Sequence, residues 1–222
     1  MSQGVSIIVP LLNEQAVVAS LLEQLDGLGA EQVIIVDGGS QDQTCSLVEA
    51  AGYRLLSSQA GRARQMNAGA QQANQPMLLF LHADTKLPKN YKSELAKAAI
   101  WGRFDVQFSS RSKAMKMVAF FINLRSRISG IATGDQAIFI DREVFISIAG
   151  FPDFPIMEDV ALCKRLRHLH RPFSSRAKVT TSARRWQQHG VASTIVKMWW
   201  YRLAYFFGVS PSWLKQGYDD VR

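Results

Sequence analysis

The strongest constraint on the fold of this chain is a set of short apolar runs spaced by helical patterns. Residues 5–9, 33–36 and 77–81 are aliphatic or aromatic almost throughout, with Ser6 the one polar interruption. They lack the strict apolar–polar alternation of a strand with one wet face, so each must be buried on both sides. Between them lie segments with a helical period: 15–28, with Val17, Leu21, Leu22 and Leu25 on one stripe, then 44–51 and the Ala- and Gln-rich 62–73. Residues 53–57 read as a further short strand and 89–100 as another helix. Strands apolar on both faces, alternating with helices, predict an α/β fold: a mainly parallel, Rossmann-like sheet with helices on both faces.

The pattern changes in the second half. Residues 102–108 and 136–140 look like strands of a mixed sheet, 159–168 like a helix, and 194–207 like a last, strongly aromatic one. Neither a repeat nor a low-complexity linker divides the chain. Residues 1–222 are therefore expected to form one domain, with 1–100 and 101–222 as its two halves.

A hydrophobic content of 47% with 20% charged residues belongs to a folded chain and excludes wholesale disorder. The net charge of +8 is unevenly spread: no Asp or Glu occurs between Val160 and Tyr218. A field of that sign favours phosphorylated ligands, nucleic acid or an anionic membrane. No nucleic-acid motif accompanies it, so nucleic acid is not expected as a partner. Neither a signal-like leader nor an apolar stretch of about 18 residues is visible, and Cys45 and Cys163 have no paired spacing. A cytoplasmic location follows as the expectation.

In open α/β sheets ligands bind beyond the carboxyl ends of the strands. The residues that follow the predicted strands are Pro10 to Glu14, then Asp37-Gly38-Gly39-Ser40-Gln41-Asp42, then His82-Ala83-Asp84-Thr85. Glu14, Asp37 and Asp84 thereby converge on one edge, beside glycines that admit a ligand to the backbone. Carboxylates gathered there, next to a basic half, suit a metal-bridged diphosphate. Each element alone also fits a turn or a helix cap; their corresponding positions on one edge favour a site.

These residues carry a family resemblance. Residues 6–14 with 36–44, the His82-Ala83-Asp84 segment at an Asp-x-Asp position, Gly150-Phe151-Pro152, Met157-Glu158-Asp159 and Arg185-Trp186 together resemble the family 2 glycosyltransferases, which have the GT-A fold. The resemblance implies that Pro10, Glu14, Asp37 and Ala83 hold the nucleotide sugar and that Asp84 coordinates Mg²⁺ or Mn²⁺. It implies that Asp159 is the base that takes the acceptor's proton, in one displacement that inverts the anomeric centre. Glu158, Arg185 and Trp186 fall on the acceptor side. Asp135 and Gln136 resemble the family's acceptor segment, though a simple turn accounts for them equally. Arg62 and Arg64 are candidates for the base or a phosphate, with a solvated helix face as the rival reading.

This chain departs from the family where Gly38 replaces a second Asp, where His82 replaces an Asp, and where Ser182 stands at the Gln of a Gln-x-x-Arg-Trp motif. A neutral His82 is a possible metal ligand that leans toward Mn²⁺, or else a buried histidine bonded to backbone. The loss of the Gln argues against a processive polymerase.

Residues 114–124 and 194–207 set Met, Phe, Trp and Tyr beside lysines. That composition fits an interfacial segment, a core helix or a dimer interface. On the interfacial reading the acceptor is lipid-like and the protein sits peripherally at the inner membrane face. The competing functions are a nucleotidyltransferase, which should carry a Gly-rich phosphate loop where this chain has Pro10 to Glu14, and an inactive binder of nucleotide sugars or membranes.

Overall fold

Each apolar run forms a strand covered on both faces. The computed structural model describes residues 4–184, 186 and 190–218. In chain order its elements are β1 (Val5–Leu11), α1 (Gln15–Leu28), β2 (Gln32–Asp37), α2 (Thr44–Ala50), β3 (Leu55–Ser57), α3 (Arg62–Gln72) and β4 (Met77–Phe80). Then follow β5 (Thr85–Lys86), α4 (Tyr91–Leu95), β6 (Trp101–Phe108), α5 (Lys113–Ser129), a 3-10 turn (Gly134–Gln136), β7 (Phe139–Asp141) and α6 (Arg142–Ser147). The chain closes with α7 (Glu158–Leu169), β8 (Phe173–Thr181), α8 (Val191–Phe206) and α9 (Pro211–Tyr218).

The strands form one eight-stranded sheet in the order β3-β2-β1-β4-β7-β6-β8-β5. β1 pairs parallel with β2 and β4, and β2 with β3, while β7 runs antiparallel to β4 and β6. β6 and β8 are parallel, and β5 closes the far edge antiparallel to β8. The carboxyl ends of β1, β2, β4, β6 and β8 therefore share one edge. The side-chain alternation of β1 divides the core: Val5, Ile7, Val9 and Leu11 face α1, α2, α4 and α5, whereas Ile8 faces α3, α6 and α7.

The segment between β4 and β5 matters most for function. β4 lies in the middle of the sheet, yet Thr85 pairs with Thr181 at the far side. Residues 81–84 consequently run from β4 toward the far side of the sheet, and Asp84 immediately precedes the β5–β8 pairing.

Several expectations are corrected. The helix predicted over 89–100 is helical only at Tyr91–Leu95; beyond it, Lys97 and Ala98 donate to carbonyls three residues back, which tightens and ends the turn. The strand predicted over 136–140 is confined to Phe139–Asp141, because the 3-10 turn ends at Ala137 in a left-handed conformation (φ 46°). β8 was not anticipated: two of its three buried positions are Ser175 and Thr181, so it shows no apolar period. Both cysteines are free thiols.

Candidate active site

The first wall of the site is a lattice between the loops that follow β1 and β2. Asp37, the last residue of β2, is buried, and its carboxylate accepts from Gly39 N (2.7 Å), Ser40 N (3.0 Å) and Ser40 Oγ (2.5 Å). Burial alone would raise the Asp37 pKa, but these donors outweigh it and hold the carboxyl below its usual range. Asn13, held at φ 54°, donates through its backbone to Ser40 Oγ (2.9 Å) and accepts from Gln41 N through its side chain (2.8 Å). Glu14 N donates to Thr44 Oγ1 (2.8 Å) and Gln15 N to Asp42 (3.1 Å), so the two loops are stitched residue by residue. Underneath, Gln65 bridges the carboxyl ends of β1 and β2: its Nε2 donates to Leu11 O (2.7 Å) and Val36 O (2.9 Å). Pro10 lies beyond the last β1–β4 pair, Ile8 with Phe80, where its missing N–H costs no ladder bond.

The second wall brings three acids together from separate segments. Asp84 is exposed as a residue, although its carboxyl is crowded by protein. Burial foremost, then the charge of Asp135, raises its pKa, while Arg62 and the Thr85 hydroxyl pull the other way. Asp135 lies in the 3-10 turn Gly134–Gln136. Asp159 lies in the first turn of α7, where one carboxylate oxygen accepts from Gly134 N (2.9 Å) and the other from Val160 N (2.7 Å). Burial is again the largest influence and raises the Asp159 pKa; Gly134 N and the charge of Arg202 oppose it, and Asp135 adds to it. Asp135 thus acts on both Asp84 and Asp159, so the acids of the β4–β5 crossing, the 3-10 turn and α7 share one site. Gly134 makes this closeness possible: a side chain there would overlap the imidazole of His82, which packs on the glycine.

The family model described as glycosyl transferase family 2 matches residues 6–151 of this chain. The chain belongs to that family. Among curated relatives, the undecaprenyl-phosphate 4-deoxy-4-formamido-L-arabinose transferase of Pseudomonas aeruginosa is 28% identical over 155 residues, which cover 61% of this chain and 45% of that protein. The match thus spans less than half of the relative's own length. Among solved structures, a mannosyltransferase from Pyrobaculum calidifontis in complex with GDP-Man and Mn²⁺ superposes with a TM-score of 0.63 at 17% identity, covering 81% of this chain and 57% of that one. Glucosyl-3-phosphoglycerate synthase from Mycobacterium tuberculosis, in complex with Mg²⁺ and UDP, gives 0.59 at 15% identity, with coverage of 81% and 70%. At such identities the likeness to the solved structures is one of fold, and the GT-A expectation holds.

The predicted site residues have separate fates. Arg62 lies within electrostatic reach of Asp84, whereas Arg64 turns outward to pair with Asp153 (2.9 Å) at the surface. Ala83 is buried beside Asp84. Gln136 is wholly buried; its side chain accepts from Thr133 N in a capping box and donates to Phe104 O (3.3 Å), which leaves it in the framework rather than on the acceptor side. Trp186 is likewise buried and packs edge-on to Phe108 at 5.6 Å. Glu158 is buried next to Asp159. Arg185 lies outside the described residues.

Gly38 has a physical account: a Cβ there would stand 3.0 Å from the Gln65 amide, so the bridge under the loops and a larger residue at 38 compete for one space. Gln65 was missed by sequence reasoning, as were Arg125 and Arg202, whose charges act on Asp159 or on each other.

The aromatic segments are two-sided: Met115, Val118 and Ala119 of α5 join the core and Ile195 and Met198 of α8 pack against it, while most of the aromatic side chains face outward. On α8, Trp199 is 70% exposed, Trp200 61% and Phe206 74%; on α5, Phe120 is 60% and Phe121 57% exposed. Beside α5, a groove of about 930 Å³ combines Met115, Phe120 and Leu124 with Lys116, Arg127 and Lys178. Among the described residues no helix is long and apolar enough to cross a membrane.

Proposed function

We propose that this chain is an inverting glycosyltransferase that takes a sugar from a nucleotide-sugar donor, with Mg²⁺ or Mn²⁺, and delivers it to a lipid-like acceptor at an anionic membrane surface. The observation that carries this reading is the mutual influence of Asp84, Asp135 and Asp159 at the edge where Asp37 and Glu14 form the adjoining wall. Residues 1–100 would supply the donor half and residues 101–222 the acceptor half.

The donor set suits a divalent ion. Asp84 offers a carboxylate in a field made more negative by Asp135, and a cation would relieve that repulsion. Among the described residues no group of three or more His, Cys, Asp and Glu side chains is arranged to hold a metal alone. Asp84 would share the ion with oxygens of the donor diphosphate, the usual habit of Mg²⁺. His82, packed on Gly134, is assigned to support that turn and Asp84 to the metal. When bound, the ion neutralises charge on the departing nucleoside diphosphate.

Asp37 and Glu14, fixed by the stitched loops, would receive the nucleoside, and Arg62 the diphosphate beside Asp84. Asp159 would take the proton of the attacking acceptor oxygen. That oxygen bonds to the anomeric carbon as the bond to the diphosphate breaks and its electron pair leaves with the nucleotide. A carboxylate with a raised pKa is the stronger base for this task, and Gly134 N and Arg202 favour its ionised form against the effect of burial. The exposed aromatic face, the adjoining lysines and the acid-free stretch 160–218 support peripheral seating on an anionic leaflet. The relative named for undecaprenyl phosphate supports a lipid acceptor.

Melting of the chain with UDP or GDP, with and without Mn²⁺, tests the donor half: a rise in the midpoint that requires the metal is expected. Asp159→Asn should retain that rise and lose turnover by roughly 100- to 10,000-fold. A folded Asp159→Asn protein with near-original turnover removes Asp159 from the role of base.

A further inference from the structure

Arg125 presents an unsolved charge. Its Nε and Nη2 are shielded from solvent and have no hydrogen-bond partner among the described residues. Buried polar groups are nearly always satisfied, and a buried ionised group left without partners is costly. Burial first, and then the like charge of Arg202, lower the Arg125 pKa to about 10, against the opposing pull of Asp135 and Asp159. Both acids are within electrostatic reach, yet neither makes an ion pair with Arg125 among the described residues; Asp159 spends its two oxygens on Gly134 N and Val160 N.

The cations of the site are divided between its acids. Arg62 acts on Asp84, whereas Arg202 acts on Asp159 and shares Arg125's surroundings. The two arginines approach from different elements. Arg125 lies on α5, and Arg202 on α8, three residues from the exposed Trp199. Two like charges thus stand beside Asp159, and one of them carries N–H groups with no partner among the described residues. An anion held between them would satisfy the N–H groups and cancel their repulsion, and guanidinium forks match phosphate oxygens.

We propose that Arg125 and Arg202 form the seat for a phosphate group borne by the acceptor, and place its attacking oxygen next to Asp159. This inference rests on the transferase reading above and adds to it the acceptor's headgroup chemistry and the residues that hold it. The seat adjoins α8, whose outer side is aromatic, so a phosphate at a membrane surface would enter from the side that faces the lipid.

The test is a calorimetric titration of the full chain with geranyl monophosphate, geraniol, inorganic phosphate, and UDP or GDP in Mn²⁺. Wild type should bind geranyl monophosphate and not geraniol. Arg202→Gln and Arg125→Lys should each weaken geranyl monophosphate at least tenfold and change nucleoside diphosphate affinity less than threefold. Equal binding of geraniol, or unchanged geranyl monophosphate affinity in the variants, overturns the proposal. A parallel loss of nucleoside diphosphate binding assigns the arginines to the donor instead and also overturns it. Displacement by an equal concentration of inorganic phosphate would reassign the seat to free phosphate. If Arg125→Lys loses its cooperative melt, Arg202→Gln at its half-buried position decides alone. A wild type without metal-dependent nucleotide binding would refute the transferase reading, while the geranyl monophosphate comparison would still report on the seat.

Discussion

Replacing Asp84 by Asn should move stability and ligand affinity in different directions. In the native chain the Asp84 carboxyl accepts a long hydrogen bond from Thr85 Oγ1 at 3.3 Å, which an Asn carbonyl can accept as well. Its pKa is raised, chiefly by burial and next by Asp135. For a carboxyl with a folded pKa above the unfolded 3.8, the stabilising contribution is complete below that unfolded value and lost as pH rises through the folded one. At neutral pH the ionised side chain is therefore a net cost to the fold, and Asn removes it. Asp84→Asn should melt no lower than wild type, to within about 0.5 kcal/mol. Metal-dependent binding should behave oppositely, because the substitution deletes the charged ligand. Outer-shell partners alone are worth about 10- to 100-fold in metal affinity, so loss of the carboxylate should cost on the order of 100-fold or more. At about 1.4 kcal/mol per decade, that is roughly 2.7 kcal/mol. Titration of UDP and GDP in Mn²⁺ reads the affinity, and a thermal melt of the same samples reads the fold. Nucleotide affinity within threefold of wild type, in a protein with an unchanged melt, refutes the assignment of the cation to Asp84.

Turnover should fall on the acid side at a pH above the ordinary carboxylate range, since Asp159 must be ionised to act and its pKa is raised. Arg202→Gln should push that limb higher still, because the arginine's charge lowers the Asp159 pKa; a pH–rate profile in which the variant's limb stays in place or moves down contradicts the assignment. Flotation with anionic liposomes should carry the protein upward, and Trp199→Ser combined with Phe120→Ser should reduce the bound fraction severalfold; wild type left wholly in the unbound fraction removes the membrane from the reading.

How much could be read beforehand differed from region to region. β1, β2 and β4 were legible because they are buried on both faces, so nearly every residue is apolar. β8 was not, because an edge partner to a two-residue strand can hold Ser175 and Thr181 in its buried positions, and hydrogen bonds replace the apolar signal there. The helix over 89–100 was overestimated because composition does not reveal where the chain must tighten to enter β6. The aromatic content of α5 and α8 was plain in the sequence, but its direction was not: an amphipathic stripe looks the same whether it meets core or solvent, and accessibility alone placed Trp199 and Phe206 outside.

By itself the sequence determined the sheet's type, the edge on which Glu14, Asp37 and Asp84 would stand, and the family. These follow from local rules: residue type sets strand burial, and polar residues after a parallel strand must lie at its carboxyl end. Tertiary structure alone decided which side chains meet. It brought Asp135 within reach of both Asp84 and Asp159 across segments far apart in the chain, turned Arg64 outward to Asp153 while Arg62 acts on Asp84, and buried Gln136 and Trp186 in the framework. It also brought Arg125 and Arg202 together from two helices. Charge acts through space, and no spacing along the chain records the distance between two side chains that long-range packing has made neighbours.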